Sequence, residues 1–228
     1  MSKPKLVIFD WDDTLAKTRD AVVKAMNHVL SLYDLPEWDI IKEQKRDKKK
    51  SLKENFPNFF GEKAEEAYNE YLKYYSSEAC KEVKKIENTD TFLKELTKNK
   101  ISIAIISNKE KSLLLSEVQV CFPEIKFDYV FGNGDTEHNK PAPDPVYKMI
   151  ENYNFELNSD NVWLVGDTQQ DTDCALNAGC QSILMGKGKF MDGDYLEKNS
   201  SIKRCGDFTQ LAGYFKGLKS DRNEGLRL

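Results

Sequence analysis

Leu6-Val7-Ile8-Phe9-Asp10-Trp11-Asp12-Asp13-Thr14-Leu15 is the stretch from which the fold is read. Its apolar residues run without interruption into an aspartate. A short continuous apolar run suits a strand buried on both faces, as in a parallel sheet. Asp10 then stands at the strand's carboxyl end, the edge at which open α/β sheets bind ligands. Asp12 and Asp13 follow directly. Acids crowded at one sheet edge repel one another unless a positive group offsets them, and Mg²⁺ is the hard cation that carboxylate oxygens select. A polar turn, with aspartate favoured for its local hydrogen bonds, accounts for this stretch equally well. The rest of the chain decides.

At 228 residues, with 39% hydrophobic and 32% charged side chains, the chain is long enough to bury a substantial core and reads as globular. A net charge of −4 gives no case for nucleic-acid binding. No apolar run approaches membrane-spanning length. Met1 to Lys5 passes straight into the first strand, so no signal peptide is expected. The cysteines, Cys80, Cys121, Cys174, Cys180 and Cys205, are odd in number and form no Cys-x-x-Cys pair. That predicts free thiols in a reducing cytoplasm.

Downstream of the opening strand, Thr18 can cap a helix whose stripe is Ala21, Val22, Ala25, Met26, Val29 and Leu30, ended by Leu35-Pro36. A charged run spans Lys42 to Lys50, of which Lys45 to Lys50 reads as a solvated helix face, with guidance of an anionic substrate as the alternative. Ser51 and Glu54 have capping-box spacing. Phe56, Phe59 and Phe60 follow, interrupted by Pro57 and Gly61, and Ala64, Ala67, Tyr68, Tyr71, Leu72 and Tyr75 recur at helical spacing. Residues 16–88 therefore read as all-helical, with no strand. From residue 89 the pattern alternates: a helix near Phe92–Leu96, a strand at Ile101–Ile106, a helix at Leu113–Val120 and a strand at Phe127–Phe131. Next come a helix opened by an Asp144 cap and Pro145 and running through Tyr153, and a strand at Val162–Val165. A helix at Asp171–Ala178 closed by Gly179, a fifth strand at Ser182–Met185 and a last helix at Phe208–Phe215 complete the pattern, with a frayed tail from Lys216 to Leu228. The alternation predicts an α/β fold, a doubly wound parallel sheet formed by residues 1–15 and 89–228, with an inserted all-helical cap domain at 16–88.

The strand ends carry the chemistry. The first closes on Asp10, the second on Ser107-Asn108 and the fourth on Gly166-Asp167 with Asp171 beyond, while Lys140-Pro141-Ala142-Pro143 lies between the third and fourth. Each has an ordinary explanation alone: a strand-end turn, a solvated loop lysine, acids at a helix N-terminus. Together they place carboxylates for a metal, and a hydroxyl and a lysine for phosphate oxygens, at one sheet edge.

These residues resemble the motifs of the haloacid dehalogenase superfamily, most nearly its phosphoglycolate phosphatase-like members. Asp10, Asp12 and Thr14 match Asp-x-Asp-x-Thr, Ser107-Asn108 the second motif, Lys140 to Pro143 the third, and Asp167 with Asp171 the fourth, all in order. Asp13 departs from the pattern, since glycine is usual there. The resemblance covers the whole core and implies a Rossmann-like sheet with a helical cap inserted after the first motif. It implies a cytoplasmic, Mg²⁺-dependent phosphatase of a small phosphorylated metabolite, without nucleic-acid or membrane partners. By the same resemblance Asp10 is the nucleophile that forms an aspartyl-phosphate and Asp12 the acid and base. Mg²⁺ is held by the side chains of Asp10 and Asp167 and the carbonyl of Asp12. Ser107, Asn108 and Lys140 hold phosphate, and Thr14 and Asp171 support them from behind.

Asp12 argues against a dehalogenase or a phosphonate hydrolase of this superfamily. A phosphosugar mutase, which often has valine where Thr14 stands, is the enzymatic alternative, and a silent phosphate-binding regulator the non-enzymatic one. His28 and His138 show no partner pattern. The stripe of Tyr68, Tyr71 and Tyr75 reads mostly as core or cap packing, with a substrate-facing member as the alternative.

Overall fold

The computed structural model describes residues 2–47, 50–189, 191 and 193–219. Strand β1 (Leu6–Phe9) leads through β2 (Ala16–Lys17) into helices α1 (Arg19–Leu32), α2 (Trp38–Lys45), α3 (Leu52–Phe60) and α4 (Ala64–Ser77), and β3 (Lys84–Lys85) brings the chain back. There follow α5 (Thr89–Lys98), β4 (Ser102–Glu110), α6 (Lys111–Cys121), β5 (Tyr129–Asn133), α7 (Asp144–Ile150) and β6 (Val162–Thr168). The chain ends through α8 (Gln169–Ala178), β7 (Gln181–Lys189), α9 (Tyr195–Lys198), β8 (Lys203–Cys205) and α10 (Phe208–Lys216).

The main sheet is parallel and six-stranded, in the order β5-β4-β1-β6-β7-β8. The order reverses between β1 and β6, and the residues beyond β1, β4 and β6 converge at that switch point. The run Leu6–Phe9 is apolar throughout because the sheet is covered twice. Val7 and Phe9 pack with Phe92 and Leu96 of α5, Leu114 of α6 and Phe208 and Phe215 of α10. Leu6 and Ile8, pointing the other way, join Val146 and Met149 of α7 and Cys174 and Ala175 of α8. The helices α1 to α4 close on a separate cluster rich in rings, among them Phe56, Phe59, Phe60, Tyr71 and Tyr75, to which Leu113 of α6 also belongs. The five cysteines are free, and all but Cys80 are buried.

Several sequence expectations need correction. The segment 16–88 does contain strand: β2 and β3 pair antiparallel, Ala16 opposite Lys85 and Lys17 opposite Lys84. Strands of two residues carry no periodicity to read. Helix α3 runs through Pro57. The ring removes one backbone hydrogen bond, but the Ser51–Glu54 capping box starts the helix and burial of its phenylalanines holds it. Thr18 stands before α1 without a side-chain cap bond, and its backbone N–H donates to the Asp13 carboxylate at 3.3 Å. Asp144 lies inside α7, not at its cap, with its carboxylate 2.8 Å from His138 Nδ1; the helix stops at Ile150, short of Tyr153. The other histidine also has partners: the His28 ring stacks on Tyr74 at 3.7 Å and its Nε2 lies 3.6 Å from Glu70. The charged run is not one helix face, since α2 ends at Lys45; Lys48 and Lys49, like residues 220–228 of the tail, lie outside the described residues. Strand β5 is displaced to Tyr129–Asn133, and α9 and the short edge strand β8 were not anticipated. Finally, β4 and β6 do not stop at Asn108 and Asp167. Their pairing slips between Ile106 and Glu110 and between Gly166 and Thr168, so the chemical residues stand where the ladder is broken.

Candidate active site

Asp10 leaves β1 with its backbone N–H donating to Val165 O at 2.8 Å, which ties this residue to β6. The turn that follows needs a left-handed residue, and Asp13 takes that conformation at φ 59°. Aspartate tolerates this region better than most side chains, so the turn forms without the usual glycine. The Asp13 carboxylate then accepts from Thr18 N–H at 3.3 Å.

Lys140, arriving from the segment before α7, donates to Asp10 Oδ1 at 2.6 Å and Asp171 Oδ1 at 2.5 Å. All three side chains are buried. Asp171 has a second duty: its other oxygen accepts from the Thr168 N–H at 3.0 Å, completing the capping box that opens α8. Gly166 permits this, since a Cβ there would fall 2.3 Å from Asp171 Cγ. Asp167 sits beside them, with Thr14 Oγ1 donating to its Oδ1 at 3.4 Å. Ser107 is buried at the same edge. Asn108 donates through Nδ2 to Lys140 O at 2.8 Å and Gln170 Oε1 at 3.2 Å, bracing the lysine's backbone.

Oxygens of Asp10, Asp167 and Asp171 lie within 4.8 Å of one another. Burial and the neighbouring Asp171 push the Asp10 carboxyl well above the usual carboxylate range, with Lys140 opposing them. Burial disfavours the charge on Lys140, but Asp10 and Asp171 outweigh it and hold the ammonium protonated. Three carboxylates against one ammonium leave an excess of negative charge, and an all-oxygen donor set of this span fits a hard divalent cation such as Mg²⁺.

Asp12 stands apart from this group. Its Oδ1 accepts from Lys109 Nζ at 2.9 Å. Burial alone would raise its carboxyl; Lys109 and Thr18 more than reverse that and hold it below the usual range. Lys109 also lies 3.0 Å from Glu117 Oε1 and donates to Tyr75 OH at 3.0 Å, while Trp11 Nε1 donates to Glu117 Oε2 at 2.5 Å. Sequence reasoning missed Lys109, Glu117, Tyr75 and Trp11. One signal was present: Glu117 occupies the apolar stripe of α6, spaced between Leu113 and Cys121, where a charge needs a partner.

A cavity of about 560 Å³ opens from Asp10, Ser107 and Lys140 toward the helical segment. Its far wall includes Arg19, Lys42, Arg46, Lys50, Tyr68 and Tyr71.

A family model described as haloacid dehalogenase-like hydrolase matches residues 7–185. The chain is 25% identical over 181 residues to the pyrophosphatase PpaX of Bacillus cereus, covering 77% of this chain and 80% of that one. Among solved structures it resembles a HAD-superfamily hydrolase from Ehrlichia chaffeensis (26% identity, TM-score 0.65, 96% and 98% of the two chains). A predicted phosphoglycolate phosphatase from Haemophilus somnus superposes with a TM-score of 0.80 over 94% and 99% of the chains at 19% identity, a likeness of fold alone.

Proposed function

The chain belongs to the haloacid dehalogenase-like hydrolases, and from that premise we propose that it is an Mg²⁺-dependent phosphomonoesterase of a small phosphorylated metabolite. The observation that carries this reading is the buried Asp10–Lys140–Asp171 group at the switch point of the sheet. We further take residues 1–15 and 89–228 as its core and 16–88 as its cap.

In this reading Asp10 attacks phosphorus. The Asp10 Oδ–P bond forms, the ester P–O bond breaks, and Asp12 delivers a proton to the departing oxygen. Water then attacks the aspartyl-phosphate, Asp12 takes its proton, and inorganic phosphate leaves Asp10 restored. Lys140 holds phosphoryl oxygens, opposes the upward push of burial on the Asp10 carboxyl, and is itself aimed by Asp171. Ser107 offers its hydroxyl to the same oxygens, and Asn108 fixes the Lys140 backbone. Mg²⁺, held by Asp10, Asp167 and the Asp12 carbonyl, with Asp171 within reach, would supply positive charge where one anion must approach another. Because Lys109 and Thr18 keep Asp12 ionised, the resting protein presents the base, and the proton used in the first step enters with substrate or solvent.

The cavity supports a substrate larger than the phosphate itself, being within the roughly 300–1,000 Å³ typical of ligand pockets. Its basic far wall favours a leaving group with negative charge of its own. The pyrophosphatase relatives are consistent with an anionic leaving group, and a cytoplasmic setting accords with free thiols. No helix among the described residues is long and apolar enough to cross a membrane. The presence of Thr14, bonded to Asp167, favours a phosphatase over a mutase.

The test is phosphate release from a panel of phosphorylated metabolites, with and without excess chelator. Metal-dependent release from one or a few members is expected. Undiminished release in chelator would reject the metal, and no release from any member would reject the phosphatase reading.

A further inference from the structure

Glu117 is a buried carboxylate on a helix face otherwise made of Leu113, Leu114, Val118 and Cys121, and the proposed reaction does not use it. A charge in such a place is retained only if it is paired, and the pairing has a direction. One Glu117 oxygen accepts from the indole of Trp11, the residue between the two proposed catalytic aspartates. The other faces Lys109, whose ammonium reaches Asp12 Oδ1 at 2.9 Å and Tyr75 OH of α4 at 3.0 Å. The Lys109 side chain is 7% exposed and that of Glu117 2%, so neither is fully solvated. Trp11 is completely buried and in edge contact with Phe122 at 5.9 Å. The catalytic turn is thus gripped at two consecutive residues, at Trp11 by Glu117 and at Asp12 by Lys109, and the two grips are one ion pair.

We propose that Glu117 and Lys109 form a positioning pair that sets the direction of the Asp12 side chain, with Tyr75 adding a third hold from the helical segment. This rests on the phosphatase reading, in which Asp12 handles protons in both steps. Lys109 is short of solvent and touches three polar partners, so it has few alternative rotamers, and Asp12 bonded to it inherits that restriction. Proton transfer demands such restriction, because the acid must stand within hydrogen-bond reach of the leaving oxygen. A small misplacement would lower the rate without altering how tightly the phosphate end binds.

The experiment compares Glu117→Gln, Lys109→Met and the double variant with an alkyl phosphate and an activated aryl phosphate. Glu117→Gln keeps the side chain's shape and Lys109→Met removes the ammonium while keeping most of the aliphatic stem, and the double variant removes the pair without leaving either charge unpartnered by the other. Expected for the double variant is a fall in kcat of about 10–100-fold on the alkyl ester. Its KM should stay within about twofold, and the aryl ester should still give a phenol burst, because that step needs little acid. If Lys109 served only to neutralise Glu117, the double variant would regain the alkyl kcat that Lys109→Met loses, and the inference would be overturned. Equal losses on both esters would overturn it as well. The Trp11 indole N–H resonance gives a reading independent of turnover. It should move in both single variants, and an unmoved resonance in Lys109→Met would refute the link between the two grips. Should the wild type cleave neither ester while the resonance moves as expected, the phosphatase reading fails and the cluster stands as a structural grip, which overturns its proposed catalytic purpose.

Discussion

At the carboxyl edge of the sheet, Asp10, Lys140 and Asp171 are buried as a polar group, with Lys140 bonded to both carboxyls. In the helical segment, Phe56, Tyr71 and Tyr75 are buried as rings, Phe56 lying 4.9 Å from Tyr68 and 5.2 Å from Phe60. The ring cluster gains from leaving water, through area and through edge contacts. The polar cluster loses hydration, and its mutual attraction at best offsets that loss. The rings therefore account for stability, whereas the polar cluster is a feature that stability alone would not select. Substitutions should separate accordingly, with chemistry lost at the edge while the fold persists, and stability lost at rings such as Phe56 while the chemistry persists; Tyr75, bonded to Lys109, belongs to both regions.

The largest expected effect is at the edge. Asp10→Asn removes the proposed nucleophile and should abolish turnover for every ester while the circular dichroism spectrum stays native. Residual turnover within tenfold of wild type would mean that Asp10 does not attack phosphorus.

Asp12→Asn comes next. It keeps the backbone carbonyl and removes the proton carrier, so alkyl ester cleavage should slow by about 10²–10⁴-fold. An activated aryl ester should give a phenol burst followed by a slow steady state, because breakdown of the intermediate still needs a base. Rapid-mix kinetics on both esters reads this, and equal losses with no burst would take Asp12 out of proton transfer.

Phe56→Ala probes the opposite side of the comparison. Deleting a fully buried phenylalanine costs about 3–5 kcal/mol, which denaturant unfolding would register. The value of kcat on a small aryl phosphate should stay within severalfold, since the rings that Phe56 packs against, Phe60, Tyr68 and Tyr71, are not among the proposed catalytic groups. A collapse of kcat in protein that remains folded would show that the two regions are not separable.

Neutralising Lys42 and Lys50 on the cavity's far wall should raise KM for an anionic substrate severalfold and leave kcat unchanged. A large fall in kcat at saturation would place these lysines in the chemical step.

The smallest effect lies away from both regions, at His138. Its bond to the Asp144 carboxylate raises its pKa. The pair thus stabilises fully below the ordinary histidine value of about 6.5, and the contribution disappears as pH rises through the raised value. His138→Ala should flatten a slight decline in Tm over that window, and an identical pH profile in both proteins would assign the decline elsewhere.

Much of the proposed site was legible in the sequence because Asp10, Ser107 and Asp167 close apolar runs that announce themselves as strands, while Lys140 and Asp171 were legible through the motifs around them. Asp10, Ser107, Lys140, Asp167 and Asp171 all come to one edge, as the alternation of strands and helices implies. The separate ring cluster of the helical segment was legible from the spacing of its aromatics. Less legible were features without period or length. The β2–β3 pair is two residues long on each side, and Pro57 inside α3 is tolerated only because of what packs around it.

The sequence by itself determined the parallel sheet and the chemical character of its edge, because hydrophobic period and strand-end identity are local properties of the chain. Only the tertiary structure decided how the acids divide. Asp10, Asp167 and Asp171 gather within 4.8 Å of one another, whereas Asp12 turns to Lys109 at 2.9 Å. The same lysine lies 3.0 Å from Glu117, which is 106 residues from its Trp11 partner. A buried charge selects whatever opposite charge the fold brings beside it, and chain order carries no record of that proximity.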